Sequence, residues 1–177
     1  SSAASDVYKR QVVIRAIYDA VEKMGFQSGN ILEPSMGIGN FFGMLPSGMA
    51  DSRLYGVELD SITGRIAQKL YPEANIKVAG FETTDRRDFY DLAVGNVPFG
   101  NYKVNDKAYN KLGFSIHNYF FAKTIDQIRP GGVIAFVTSR FTMDSKDSSA
   151  RKYMAERADL LGAIRLPNCL LYTSDAA

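Results

Sequence analysis

The chain has 177 residues, with 21 Lys and Arg against 19 Asp and Glu and a formal net charge of +2. That balance neither requires nor excludes a nucleic-acid partner. A single cysteine, Cys169, leaves no disulfide, thiol nucleophile or metal cluster to argue, and no apolar run approaches the roughly 18 residues of a membrane span.

The two ends are related at the level of DNA. Cys169 to Ala177 can be coded by a stretch whose reverse complement, read one base in, encodes Ala3 to Arg10 and the start of the Gln11 codon. One inverted segment thus accounts for both termini, and it resembles the end of a transposon-based sequencing-library adapter. Residues 1–11 and 169–177 are expected to be adapter-derived. Residues 12–168 are expected to form one domain with a sizeable core, incomplete at both sides.

Val13, Ile14, Ile17, Val21 and Met24 share one helical face, with Gly25 as a stop. Asn30–Glu33 is a short strand ending in Pro34. A Gly-rich turn and a short helix from Asn40 follow. Arg53–Glu58 is the second strand, and Ser61–Leu70 is a helix closed by Pro72. Ile76–Ala79 and Tyr90–Gly95 are the third and fourth strands. His117–Ile128 is helical with Phe120, Phe121, Ile125 and Ile128 inward. Pro130-Gly131-Gly132 turns into the apolar strand Val133–Thr138. Asp147–Ala158 is helical and Leu160–Leu166 a strand. Helix and strand alternate, which favours a mostly parallel α/β sheet. The longest irregular stretch, Gly100–Ser115, is a candidate functional loop.

The first strand leads into Glu33-Pro34-Ser35-Met36-Gly37-Ile38-Gly39-Asn40-Phe41. Gly37 and Gly39 remove side chains, so a ligand can lie against the backbone. The third Gly of a dinucleotide fingerprint is replaced by Phe42, and an acid–Pro pair precedes the turn. A pyrophosphate would avoid that carboxylate. The sulfonium and ammonium of S-adenosylmethionine favour it, so Glu33, Pro34, Gly37 and Gly39 are candidate cofactor residues. Glu58, at the end of the second strand, is placed to accept both ribose hydroxyls. Asp60 is expected to cap the following helix. Phe81 is a candidate to pack on the adenine ring, or else a core residue, and Glu82 a candidate for its amino group.

The sharpest motif is Gly95-Asn96-Val97-Pro98-Phe99-Gly100, at the end of the fourth strand, where parallel sheets hold ligands. An amine on a heteroaromatic ring is a poor nucleophile because its lone pair is delocalised. Two acceptors aimed at its hydrogens, the Asn96 side-chain oxygen and the Val97 carbonyl, draw the nitrogen towards tetrahedral geometry. Pro98 stiffens the backbone that aims them, and Phe99 offers a stacking face for an extruded base. Positioning and fixed dipoles carry this chemistry, with no general base required before attack.

Together these motifs resemble the amino-methyltransferases, with Glu33-Pro-x-x-Gly-x-Gly as the cofactor motif and Asn96-x-Pro-Phe as the catalytic one. Their order is that of the class containing type I restriction-modification methylase subunits. The run from Ile31 to Gly162-Ala-Ile-Arg-Leu-Pro167 looks closer still to methylase domains of large helicase–methylase fusions of bacterial mobile elements. The resemblance implies a Rossmann-like class I methyltransferase fold, with helices on both faces of the sheet, truncated before its last strand. It also implies S-adenosyl-L-methionine as cofactor, a flipped adenine of DNA as substrate, and no metal. A fused or separate helicase and a target-recognition domain are the implied partners, in the cytoplasm of a bacterial host. Val97 departs from the usual first Pro of the catalytic motif. Gly80 stands where the family has an acid before the Phe of its third motif.

Tyr102, Lys103, Lys107, Tyr109 and Lys111 interleave basic and aromatic residues in the Gly100–Ser115 loop, as DNA contacts would require. A solvated loop has the same composition. His117 reads as a helix-start residue. A methyltransferase acting on a protein glutamine or an RNA base, or a non-catalytic accessory domain, remain alternatives. The segment that closes over the cofactor's methionine end is expected to be replaced, and the last strand to lie beyond Asn168. The chain as written is therefore expected to be a poor enzyme.

Overall fold

The computed structural model describes residues 2–166, so the adapter-like segment 169–177 lies outside the described residues. Five strands form one sheet: β1 (Asn30–Glu33), β2 (Arg53–Glu58), β3 (Asn75–Val78), β4 (Tyr90–Asn96) and β5 (Ile128–Val137). All pairings are parallel, in the order β3-β2-β1-β4-β5. The sheet starts at β1, winds outwards through β2 and β3, and the chain returns to lay β4 on the other side of β1. Strand order reverses between β1 and β4, which opens a crevice at their C-terminal ends.

Alternation along the strands builds a core on each face. Ile31, Leu92 and Val94 meet Ile14, Tyr18 and Val21 of α1 (Ser2–Lys23) on one side. Leu32 and Ala93 meet Ile116, Phe120 and Ala122 of α4 (Ile116–Gln127) on the other. α2 (Asn40–Gly43) follows the Gly-rich turn. α3 (Ser61–Leu70) lies close on β3: a Cβ at Gly64 would stand 2.9 Å from a methyl of Val78. Asp60 caps α3 as expected, its carboxylate accepting the Thr63 N–H at 2.8 Å.

Several expected boundaries shift for local reasons. α1 runs through the anticipated break at Val12, but its packing begins at Val13 and Ile14, and Met24 is half exposed. β3 begins one residue early. β5 takes in Pro130-Gly131-Gly132, which bulge as the ladder to β4 shifts between Ile128 and Val133, with Gly131 at φ +83°. In α4, Phe121 and Ile125 are only half-buried, and Ile128 opens β5 instead. The last expected helix is confined to α6 (Ser149–Ala155), after a single-turn α5 (Phe141–Asp144) that periodicity does not reveal.

Leu160–Leu166 is not the expected strand. Among the described residues this segment pairs with no strand, although β5 stands at the edge of the sheet. Its Leu160, Leu161 and Ile164 stand in solvent.

Candidate active site

β1 carries Glu33 to the crevice. The residue is 2% exposed, and its Oε1 has no hydrogen-bond partner. Burial pushes its pKa well above the usual carboxylate range; the Phe42 and Phe41 amides oppose this, and the neighbouring Glu58 charge adds to it. A buried carboxyl with one oxygen unpartnered is costly to ionise until a cation or donor meets it.

The turn after Glu33 uses its two glycines differently. Gly39 has φ +85°, and a Cβ there would lie 2.5 Å from the Tyr71 ring, whose hydroxyl donates to the Gly39 carbonyl at 3.0 Å. Gly37 has φ +56°, and a Cβ there would meet nothing within 4 Å. Gly39 therefore serves packing, while Gly37 leaves backbone open to a ligand. On the other side Tyr18 of α1 donates its hydroxyl to the Phe41 carbonyl at 2.6 Å. At the end of β2, Glu58 Oε2 accepts the Gly37 N–H at 2.9 Å, and its Oε1 accepts the Asp60 N–H at 3.3 Å.

The third corner follows β3. Phe81 is buried, stacked on Phe120 with ring centroids 4.8 Å apart and edge-on to Tyr119, so its packing is that of a core residue. Glu82 folds back over Gly80: a Cβ at position 80 would sit 2.1 Å from Glu82 Oε1. The Glu82 carboxylate thus occupies the room that a side chain at position 80 would fill.

β4 ends against the same acid. A Cβ at Gly95 would be 3.5 Å from Glu33 Cγ and 3.7 Å from Pro34 Cδ. Asn96 is exposed at the strand end, directly after this contact. Val97 is 1% exposed and donates its N–H to the Val137 carbonyl at 3.0 Å. The departure from proline at this position supplies a β5 hydrogen bond that proline cannot make. Pro98 is half-buried, and Phe99 is 40% exposed at the mouth.

The loop after the motif is fastened to α4. Asp106 Oδ2 accepts from Lys123 Nζ at 2.6 Å and from the Tyr119 hydroxyl at 2.8 Å. Tyr109 is buried with its hydroxyl on Asp126, which removes it from the expected set of base contacts. Tyr102, Lys103, Lys107 and Lys111 are exposed. Partial burial and the Glu58 charge both raise the Tyr102 pKa. His117 is buried at the start of α4, its Nε2 3.2 Å from Ser115 Oγ, and burial lowers its pKa. Sequence reasoning missed Lys123. It lies on the same helical stripe as Ile116, Phe120 and Gln127, and a charge on a buried stripe is the signal that marks it.

The parallel five-strand sheet with helices on its faces is that of the Rossmann-like class I S-adenosylmethionine-dependent methyltransferase fold. A TehB-like S-adenosylmethionine-dependent methyltransferase from Corynebacterium glutamicum superposes with a TM-score of 0.52 at 16% identity, covering 88% of this chain and 83% of that one. In sequence, the chain is 32% identical over 172 residues to the "Defense against restriction protein B" of Escherichia phage P1, covering 93% of this chain. It is 35% identical over 79 residues to the type II methyltransferase M.CvrRI of Paramecium bursaria Chlorella virus XZ-6E, covering 44% of this chain. The chain spans 8% of the length of the phage protein and 21% of the viral one. No protein-family model matches it.

Proposed function

We infer that the chain binds S-adenosylmethionine and directs its methyl group to the exocyclic N6 of adenine in DNA. The observation that carries this reading is the juxtaposition of Asn96 with Glu33 through Gly95, at the switch point of the sheet. The residues present fit the cofactor. Glu33 Oε1 lacks a partner, Gly37 faces open space, and the Glu58 carboxylate stands at the adjoining strand end. When bound, the cofactor supplies a methyl group made electrophilic by its sulfonium.

Asn96 and the Val97 carbonyl accept hydrogen bonds from the target amine and draw its lone pair out of the ring. Val97, held by Val137, fixes the carbonyl it presents. Phe99 stacks on the extruded base. The exposed Tyr102, Lys103 and Lys107 provide stacking and phosphate contacts. Target choice is assigned to a separate or fused recognition domain, with a helicase as partner. A domain of this size occupies only a small part of the phage relative, which leaves length for both.

The test is single-turnover transfer of labelled methyl to unmethylated DNA, with protein in excess of sites. Label at adenine N6 that disappears in Asn96→Ala, with S-adenosylhomocysteine binding retained, supports the reading. Label in protein or RNA but not DNA moves the acceptor. A phenotype unchanged by Asn96→Ala makes the domain a non-catalytic accessory.

A further inference from the structure

Lys123 lies on a buried face of α4 with its ammonium 2.6 Å from Asp106 and 3.4 Å from the Glu82 carbonyl. The side chains of Lys123 and Asp106 are 6% and 10% exposed. The ammonium also stands 5.4 Å from the Phe81 ring centroid and 5.8 Å from that of Tyr109. Phe81 and Glu82 belong to the segment after β3, on the cofactor side. Asp106 and Tyr109 belong to the loop after the Asn96 motif, on the substrate side. One cation therefore joins the segment after β3 to the loop after the Asn96 motif.

The pair is not a generic surface bridge. Two desolvated charges contribute little net stability over an apolar pair of the same shape, and they are best justified where they fix one arrangement among several. The loop needs such a device. It spans Gly100–Ser115 with one 3-10 turn at Asn110–Leu112, too little regular structure to hold itself. Asp106 is its centre: its Oδ1 accepts the Ala108 N–H at 3.3 Å and its backbone N–H donates to Asn110 Oδ1 at 2.9 Å. Fixing Asp106 fixes the loop, and with it the exposed Tyr102, Lys103 and Lys107.

We propose that Lys123 is a positioning residue that sets the substrate loop through Asp106 and the cofactor segment through Phe81 and Glu82. The proposal rests on the reading of Gly100–Ser115 as the DNA-facing loop. It makes the two partners unequal. Asp106→Asn loosens the loop alone, whereas Lys123→Met loosens both segments. The Asp106→Asn/Lys123→Met pair leaves no stranded charge and keeps both shapes, so it guards against a simple failure to fold.

The experiment uses the full chain and three readouts: binding of a duplex DNA by fluorescence anisotropy, titration with S-adenosylhomocysteine, and amide hydrogen exchange over 100–115. Asp106→Asn is expected to weaken DNA binding about tenfold, to speed exchange in the loop, and to leave S-adenosylhomocysteine affinity within about twofold. Lys123→Met and the double variant are expected to weaken both ligands about tenfold. Loss of thermal stability with all three readouts unchanged would make the pair merely structural and overturn the proposal. Equal effects of Asp106→Asn and Lys123→Met on S-adenosylhomocysteine would overturn the unequal roles. A wild-type chain that binds no DNA sinks the DNA reading itself, and loop exchange with S-adenosylhomocysteine affinity then decides the positioning role alone.

Discussion

Glu58 reaches back across the crevice and accepts the Gly37 N–H at 2.9 Å, so the acid at the end of β2 holds the turn that follows β1. The same carboxylate is the expected acceptor for ribose hydroxyls, and it is oriented before any ligand arrives. Hydrogen bonds to charged groups contribute roughly 1.5–3 kcal/mol. Glu58→Ala is therefore expected to weaken S-adenosylhomocysteine by about ten- to a hundredfold in calorimetric titration. Glu58→Gln, which keeps one acceptor, should fall between. An affinity within twofold of wild type for Glu58→Ala would remove Glu58 from the cofactor site.

The two glycines of the turn should separate packing from binding. Gly39→Ala meets both a left-handed backbone and the Tyr71 ring, and is expected to lower stability by about 1–3 kcal/mol. For a chain of this size that lowers the melting temperature by roughly 2–4 °C per kcal/mol. Gly37→Ala meets only the backbone preference, about 1 kcal/mol. It should destabilise less than Gly39→Ala and yet lose more S-adenosylhomocysteine affinity, because its methyl group enters the open space. Melting curves and titrations of both variants check this, and the reverse ranking would show that Gly37 lines no ligand.

Much of this arrangement is legible from the chain itself. Pro34 marks the end of β1, β2 keeps its expected limits, and Asp60 marks the start of α3. The placement of Glu33, Glu58 and Asn96 at strand ends followed from parallel topology alone. What escaped was set by tertiary neighbours. Leu160–Leu166 has the composition of a strand but pairs with none among the described residues. Phe81 looks the same in sequence whether it stacks on adenine or on Phe120, and only the packing distinguishes them. The backfilling of Gly80 by Glu82 is a three-dimensional substitution that no local pattern encodes.

That backfilling has a consequence for Gly80→Ala. The added methyl collides with the free end of the Glu82 side chain, which can swing away at small cost in stability. The carboxylate, however, leaves its place over position 80. Melting temperature is expected to change by less than about 2 °C, with S-adenosylhomocysteine affinity reduced several-fold. If affinity holds, the Glu82 carboxylate is not part of the adenine subsite.

Val97 tests whether the catalytic motif depends on its tie to β5. Proline at this position matches the family pattern more closely and keeps the backbone carbonyl. It also deletes the N–H that reaches Val137 at 3.0 Å and leaves that half-buried carbonyl without its donor. Val97→Pro is expected to cost about 1–3 kcal/mol in denaturant unfolding and to lower methyl transfer more than S-adenosylhomocysteine binding. Equal or higher stability would show that this chain tolerates the usual motif, and that the Val137 bond has no role in fixing the carbonyl.

Glu33 sets stability against function. Its folded pKa lies well above the unfolded carboxyl value near 4.5. The native state therefore holds a proton that the unfolded chain has lost, and stability falls as pH rises from the unfolded value towards the folded one. Beyond the folded value the penalty stays constant, because both states are then ionised. Glu33→Gln has no such proton to lose. It should be as stable as wild type in mild acid and more stable at neutral pH, a difference visible in urea unfolding across that window. Cofactor binding runs the other way. The ammonium and sulfonium favour the ionised carboxylate, so affinity should decline as pH drops through the folded pKa and a proton returns to the site. Glu33→Gln should bind S-adenosylmethionine at least about tenfold more weakly and without that pH dependence. A glutamine variant that is no more stable at neutral pH, yet still binds tightly, would mean that the buried carboxyl finds its partner within the protein and is not held in reserve for a cation.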